Sequence, residues 1–268
     1  MKLLLLEPFE SLWAGGDPFV EVEQLQGEVY RELENRRTLR TEVAGRGYFV
    51  KIHRGIGWGE IAKNLLSAKL PVLGAGQELR AIERLTEAGV PTMTAVAYGE
   101  RGNDPSAQHS FIITEELAPT ISLEDFCMPW PTQPPQPRLK RALVTEVARM
   151  TGTMHRAGVN HRDCYLAHFL LHTDQAITPD HFRLSLIDLH RAQVRGQITR
   201  RWRDKDLAAL YFSALDIGLT RRDKLRFLRG YFQRPLRDIL REEARLLAWL
   251  EPKAQKLYDR KLRYGDAL

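Results

Sequence analysis

The sequence predicts a two-lobed α+β protein, with a small β-rich N-lobe over residues 1–117 and a mostly helical C-lobe over 118–268, joined as one integrated domain. Three observations predict it. Strand-like runs rich in Val, Ile, Tyr, Phe and Thr crowd into the first 115 residues. Apolar residues at three- and four-residue steps take over from Leu139 onward. Between the helical stretches, the loop Asn160-His161-Arg162-Asp163 and an apolar run ending on Asp188 break the helical pattern and carry two carboxylates. A chain of 268 residues with 43% hydrophobic and 28% charged residues can bury a sizeable core, and its composition is not that of a disordered chain.

Taken in order, Met1 to Leu6 forms a β-strand or packed arm, and Gly15-Gly16-Asp17-Pro18 a turn before a short helix over Val20 to Leu25. Val29 to Leu33 and Arg37 to Val43 alternate as strands, Ala44 to Gly47 turns the chain, and Tyr48 to His53 returns as a third strand containing Lys51. Gly55-Ile56-Gly57-Trp58-Gly59-Glu60 is neither a Walker loop nor a dinucleotide fingerprint. It leads into a helix over Ile61 to Leu70, which ends in the Pro71 to Gly76 stretch. A second helix starts at Gln77 with Leu79, Ile82 and Leu85 on one face and stops at Gly89-Val90-Pro91. Thr94 to Tyr98 and Ser110 to Thr114 complete a sheet around the Gly102 to Pro105 turn, and Glu115 to Pro119 leaves it.

Beyond, Ser122 caps a helix to Phe126, and Pro131 to Pro137 is a surface loop. Leu139, Leu143, Val147, Met150 and Met154 mark an amphipathic helix closed by Gly158. Phe169 to Leu171 is a short strand, Arg195 to Arg203 a polar crossing, and Lys205 opens a buried helix. Thr220 caps a helix over Arg221 to Phe232, and a last one from Leu236 to about Arg263 is expected to break at Pro252.

Cys127 and Cys164 give neither a disulfide framework nor a zinc spacing, which fits a reducing compartment. The apolar start meets Glu7 too soon for a secretory signal, and no run reaches the roughly 18 to 20 apolar residues of a membrane span. The net charge of +6 is uneven: residues 195–268 carry 19 Lys and Arg against 10 Asp and Glu, a net +9, leaving −3 on the rest. Such helices suit an anionic membrane surface, a polyanionic substrate or an acidic protein partner. Without a zinc finger, an RNA-binding aromatic signature or a basic zipper, nucleic acid is not expected.

Asp163 and Asp188 suggest phosphoryl transfer, in which one carboxylate aims and deprotonates the attacking hydroxyl and the other holds the metal. His161-Arg162-Asp163 resembles the catalytic loop of protein kinases, and Lys51 resembles the strand lysine that pairs with α- and β-phosphates. That resemblance implies a protein-kinase-like fold. It makes Glu78, rather than Glu83, the glutamate that positions Lys51, and it gives the segment holding Glu115 and Leu117 the backbone groups for an adenine ring. Asp206, at a helix start, would tie down the catalytic loop from below.

More specifically, Tyr48 to Lys51, Gly55 to Glu60, Asn160 to Tyr165, His168 to His172, Ile187 to Ala192 and Lys205 to Ala208 resemble the lipopolysaccharide core heptose(I) kinases of Gram-negative bacteria over nearly the whole chain. The resemblance implies transfer of phosphate from ATP to a hydroxyl of the first inner-core heptose, with magnesium (Mg2+), at the cytoplasmic face of the inner membrane. Asp163 would be the base, Asp188 the metal ligand and Lys51 the phosphate anchor. His168 stands where protein kinases place the Asn of a second metal position, although magnesium prefers oxygen ligands. Leu189-His190 replaces the Phe-Gly switch and no Ala-Pro-Glu element follows, which favours a glycolipid acceptor over a protein. A protein kinase, tyrosine-directed ones included, and a kinase-shaped scaffold binding anionic lipid or an acidic protein are the alternatives at this point.

Overall fold

The computed structural model describes residues 1–55, 57–58, 74–104 and 106–264. The helix expected over Ile61 to Leu70, its end at Pro71, Pro105 of the turn, and Ile56, Gly59 and Glu60 of the glycine-tryptophan segment lie outside them. Contacts divide the chain into two compact units. The first comprises Met1–Glu83, Met93–Ala118 and Leu189–Arg191, and the second Arg84–Thr92, Pro119–Asp188 and Ala192–Leu268.

The first unit is a six-stranded sheet made of β1 (Lys2–Leu5), β2 (Glu28–Leu33), β3 (Arg36–Val43), β4 (Arg46–His53), β5 (Ala95–Arg101) and β6 (His109–Glu115). Its order is β1-β5-β6-β4-β3-β2, with every neighbouring pair antiparallel. The β3–β4 hairpin closes through two residues, Ala44 and Gly45, both left-handed at φ 51° and 75°. That geometry matches the right-handed strand twist, and Gly45 adopts it without a Cβ clash. Alternation then buries Tyr48, Val50 and Ile52 of β4 and turns Phe49 and Lys51 to the other face.

The buried face is filled largely by the N-terminal arm. Phe9, Trp13, Phe19 and Val22 pack with Leu39, Tyr48, Val50 and Phe111 in one apolar cluster. The aromatic rings meet edge to face, Phe9 on Tyr48 at 5.1 Å and Trp13 on Phe111 at 5.8 Å. The expected short helix runs Pro18–Gln24, and Asp17 is its cap as well as part of the turn, accepting a bond from Phe19 N at 2.9 Å.

At the end of β4, His53 is 5% exposed, and burial together with Arg36 and Lys51 pushes its pKa down to about 3. The folded value lies below the unfolded one, so the stabilisation is complete above about pH 6.5 and is lost as pH falls toward 3. Urea titrations should show about 1.5 kcal/mol lost between pH 6.5 and pH 5 from this group. His53→Gln should flatten that slope, and an unchanged slope would remove His53 as its source. His161, also pushed down by burial, should leave a residual slope.

The second unit is built around the Pro137–Arg156 helix, whose Leu143, Val147, Met150 and Met154 are buried. Leu139, expected on that face, lies in the first turn of the helix and is only half-buried. Three further helices, Arg200–Ser213, Arg221–Phe232 and Ala244–Tyr264, join it through Ala148, Leu207, Ala208, Tyr231, Leu246 and Leu250. Among these helices lies an apolar cavity of about 330 Å³ lined by Leu143, Val147, Leu210, Leu228 and Leu247. Thr220 and Asp223 form a full capping box, and Ser122 caps Leu123–Cys127 by accepting from Asp125 N.

Two expectations are corrected here. The helix expected from Lys205 starts five residues earlier, at Arg200, because the polar crossing is already its first turn. The C-terminal pattern breaks at Glu243, between Leu236–Glu242 and Ala244–Tyr264, while Pro252 sits inside the second of these. A proline there leaves the carbonyl four residues back unbonded. Ala248 is exposed, so water can meet that carbonyl. Among the described residues no helix is long and apolar enough to cross a membrane.

Candidate active site

In the first unit, Lys51 on β4 pairs with Glu78 of the Gly76–Glu87 helix at 2.7 Å. The helix buries Glu78, Ala81, Ile82 and Leu85, while Leu79 is half-buried and Glu83 is exposed. An ordinary helix surface would present Glu78 to water. Here it is 1% exposed, and its second oxygen, Oε2, has no hydrogen-bond partner among the described residues. A buried carboxylate is tolerated only with a close cation, so Lys51 and Glu78 hold one another in place. Glu115 ends β6 with its N–H donated to Thr94 O at 2.9 Å, and Leu117 follows in the stretch that closes this unit at Ala118.

In the second unit, the Pro137–Arg156 helix stops at Gly158, whose φ is 81° and where a Cβ would lie 2.0 Å from Arg195 O. Only glycine fits that approach. Val159–Asn160 (β8) then pairs with Gln193–Val194 (β11) and delivers the chain into His161-Arg162-Asp163.

Asp206 organises the loop. Its buried carboxylate accepts from His161 N at 2.7 Å and from Arg162 N at 2.9 Å. These bonds hold Arg162 at φ 75°, a backbone state rare outside glycine. The same carboxylate lies 3.2 Å from His155 Nε2, and His155 Nδ1 lies 2.6 Å from the Tyr231 hydroxyl. A carboxylate only accepts, so His155 carries its proton on Nε2, and Nδ1 accepts from Tyr231. Burial raises the Tyr231 pKa and keeps that hydroxyl protonated.

A second set of bonds ties the loop to Asp188. Phe169–His172 (β9) pairs with Thr120–Ser122 (β7) on one side and Leu184–Leu186 (β10) on the other, and Asp188 lies two residues past β10 at φ 61°. His161, fully buried and held neutral by desolvation, donates Nε2–H to Ile187 O at 3.0 Å. Ile187 N donates to His168 O at 2.9 Å. His168 stacks on His161 with ring centroids 5.5 Å apart and planes 8° from parallel. Its Nδ1 lies 2.7 Å from the Asp163 carbonyl, and its Nε2 lies 3.6 Å from Asp188 Oδ2. A carbonyl only accepts, so Nδ1 carries the proton and Nε2 turns toward Asp188.

Asp163, His168 and Asp188 are thus assembled in the second unit, and Lys51 with Glu78 in the first. Asp206 ties down the loop as read, although from inside the Arg200–Ser213 helix and not from its start. His155 and Tyr231 were not expected from the sequence; His155 sits on an apolar helix face and Tyr231 lies 76 residues further on, so no local pattern marks the pair. Cys164, behind the loop, is buried with its thiol pushed well up by desolvation, which suits packing rather than chemistry. Among the described residues no three His, Cys, Asp or Glu side chains gather around a point that could hold a metal.

Two carboxylates, one on a catalytic-type loop and one after a strand, with a separate lysine–glutamate pair, is the residue set of phosphoryl-transfer enzymes. Comparisons with known proteins agree. The model of the family described as "Lipopolysaccharide kinase (Kdo/WaaP) family" matches residues 20–231. The chain is 76% identical over 268 residues to the lipopolysaccharide core heptose(I) kinase WaaP of Pseudomonas aeruginosa, covering 100% of both. It is 57% identical over 259 residues to a protein of that name from Escherichia coli, covering 97% of this chain and 98% of the other. A solved structure described as "WaaP in complex with acyl carrier protein" matches with a TM-score of 0.87 at 69% identity, covering 96% of this chain and 100% of that one. With the family model matching residues 20–231 and a relative 76% identical over the full length, this chain belongs to the lipopolysaccharide kinase (Kdo/WaaP) family.

Proposed function

We propose that this chain transfers the γ-phosphoryl group of ATP to a hydroxyl of the first heptose in the lipopolysaccharide inner core. The observation that carries this reading is the hydrogen-bonded frame in which His168 holds the Asp163 carbonyl and His161 and His168 both bond to the main chain of Ile187, the residue before Asp188, in a chain so close to named heptose kinases. In the reaction, the Asp163 carboxylate accepts the proton of the attacking hydroxyl as its oxygen bonds to the γ-phosphorus. The bond from that phosphorus to the bridging oxygen breaks, and ADP departs. Lys51, held by Glu78, anchors the ATP phosphates, and the backbone around Glu115 and Leu117 receives the adenine ring.

Magnesium fits the donors on offer. It commonly takes one or two carboxylates and completes its shell with phosphate and water oxygens, so Asp188 alone is a sufficient protein contribution. When bound, the metal neutralises phosphate charge. An imidazole nitrogen is a poor magnesium ligand, and His168, counted with Asp188 at the sequence level, serves better by holding the Asp163 main-chain carbonyl through Nδ1.

Two partners accompany this reading. An acidic protein, in particular an acyl carrier protein, is supported by the complex formed by a 69% identical relative and by the net +9 of residues 195–268. The apolar cavity among the helices offers an acyl chain a receptacle. Peripheral contact with the anionic cytoplasmic face of the inner membrane is supported by the same basic helices and by a substrate that is a lipid.

The test is mass spectrometry of purified core oligosaccharide after incubation with ATP, magnesium and the protein. One phosphate should appear on the first heptose. Phosphate arriving on added peptides and never on the core would overturn the reading in favour of a protein kinase, and no transfer at all in favour of a scaffold.

A further inference from the structure

The first turns of the Arg200–Ser213 helix are built against the usual rule. The N-terminal end of a helix carries partial positive charge and favours acidic side chains. This one has no acidic residue in its first turn, begins Arg200-Arg201, and its Thr199 makes no side-chain capping bond. Arg203 is neutralised by Asp204 and Glu243, at 2.8 and 2.9 Å. For Arg201 and Lys205, no carboxylate among the described residues plays that part.

Instead, both converge on one aromatic ring. The Lys205 ammonium lies 4.6 Å from the centroid of Trp202 and the Arg201 guanidinium 5.5 Å. The Arg162 guanidinium, from the residue beside Asp163, lies 5.9 Å from the same centroid. Burial and the nearby charges of Arg201, Lys253 and Arg162 lower the Lys205 pKa, as expected where cations are crowded together. Cation–π attraction recovers part of the repulsion. An anion would recover more.

We infer that Arg162, Arg201 and Lys205, gathered around Trp202, form the seat for an oxyanion of the acceptor, a sugar carboxylate or a sugar phosphate close to the reacting hydroxyl. The inference rests on the glycolipid acceptor proposed above. Its scale separates it from docking of an acidic protein. Such a partner would spread over the many cations of residues 195–268, whereas three cations around a single indole, one of them on the residue that precedes the proposed base, match one carboxylate or phosphate group.

Steady-state kinetics of the full chain with three acceptors tests this: intact core oligosaccharide, the same material with carboxyls reduced, and the same material stripped of phosphate. The double variant Arg201→Gln/Lys205→Gln, changed at exposed positions, should raise KM for the intact acceptor by about tenfold with kcat little altered. On the acceptor that lacks the bound oxyanion, wild type should already show the raised KM and the variant should add nothing, which identifies carboxylate or phosphate. A double variant with wild-type KM on intact core, or one raised equally on all three acceptors, overturns the seat while leaving the kinase reading intact. Wild type that phosphorylates none of the three overturns the acceptor reading and the seat with it. Thermal melts of the variant guard against misfolding, and the salt dependence of the wild-type KM gives a check without mutation. It should be steep for intact core and shallow for the acceptor lacking the oxyanion.

Discussion

Asp163→Asn is expected to lower kcat by about two to four orders of magnitude while leaving ATP affinity little changed. The amide is the same size as the carboxylate, so the loop has no steric reason to move. The bond that His168 makes goes to the main-chain carbonyl of residue 163, not to its side chain, and survives the substitution. The bonds from Asp206 to His161 N and Arg162 N survive as well. What is lost is the ability to take the hydroxyl proton as the phosphorus–oxygen bond forms. Single-turnover transfer to core oligosaccharide, measured beside nucleotide binding, separates the two effects. A variant with normal kcat would mean that Asp163 is not the base.

Much of the second unit was legible because its signals are local. The apolar steps of the Pro137–Arg156 helix, the Gly158 stop, and the Thr220 capping box can each be read within a few residues. Lys51 was legible as a strand residue, since the hairpin turn and the β-prone run around it leave little choice of register. Glu78 is different. The kinase resemblance favours it over Glu83, but nothing local distinguishes a carboxylate buried beside a lysine from one facing water. Pro252 misled because proline is costly inside a helix, yet the break came at Glu243. The cationic ring around Trp202 and the Asp206–His155–Tyr231 chain are tertiary facts, assembled from residues tens of positions apart. Sequence periodicity carries no trace of such meetings.

Asp206→Ala should be the most damaging single change away from the chemistry, because one carboxylate satisfies three donors, two of them buried and one partly so. Truncation leaves His161 N, Arg162 N and His155 Nε2 with no acceptor at distances that had been 2.7, 2.9 and 3.2 Å. Each orphaned buried donor costs about 1–3 kcal/mol, and relaxation trims the sum, so a loss of about 3–5 kcal/mol in urea unfolding is expected. The kinetic consequence follows from the backbone. Arg162 is held at φ 75° by one of these bonds, and relief of that strain rotates the peptide leading into Asp163. The kcat for transfer to core oligosaccharide should therefore fall by at least about tenfold even at low temperature, where the variant is still folded. Asp206→Asn gives the finer test. It keeps the volume and one accepting oxygen but turns an NH2 group toward one of the three donors, so it should lie between wild type and Asp206→Ala in both stability and kcat. If Asp206→Ala unfolded at the wild-type urea midpoint, the carboxylate would not be the anchor of the loop.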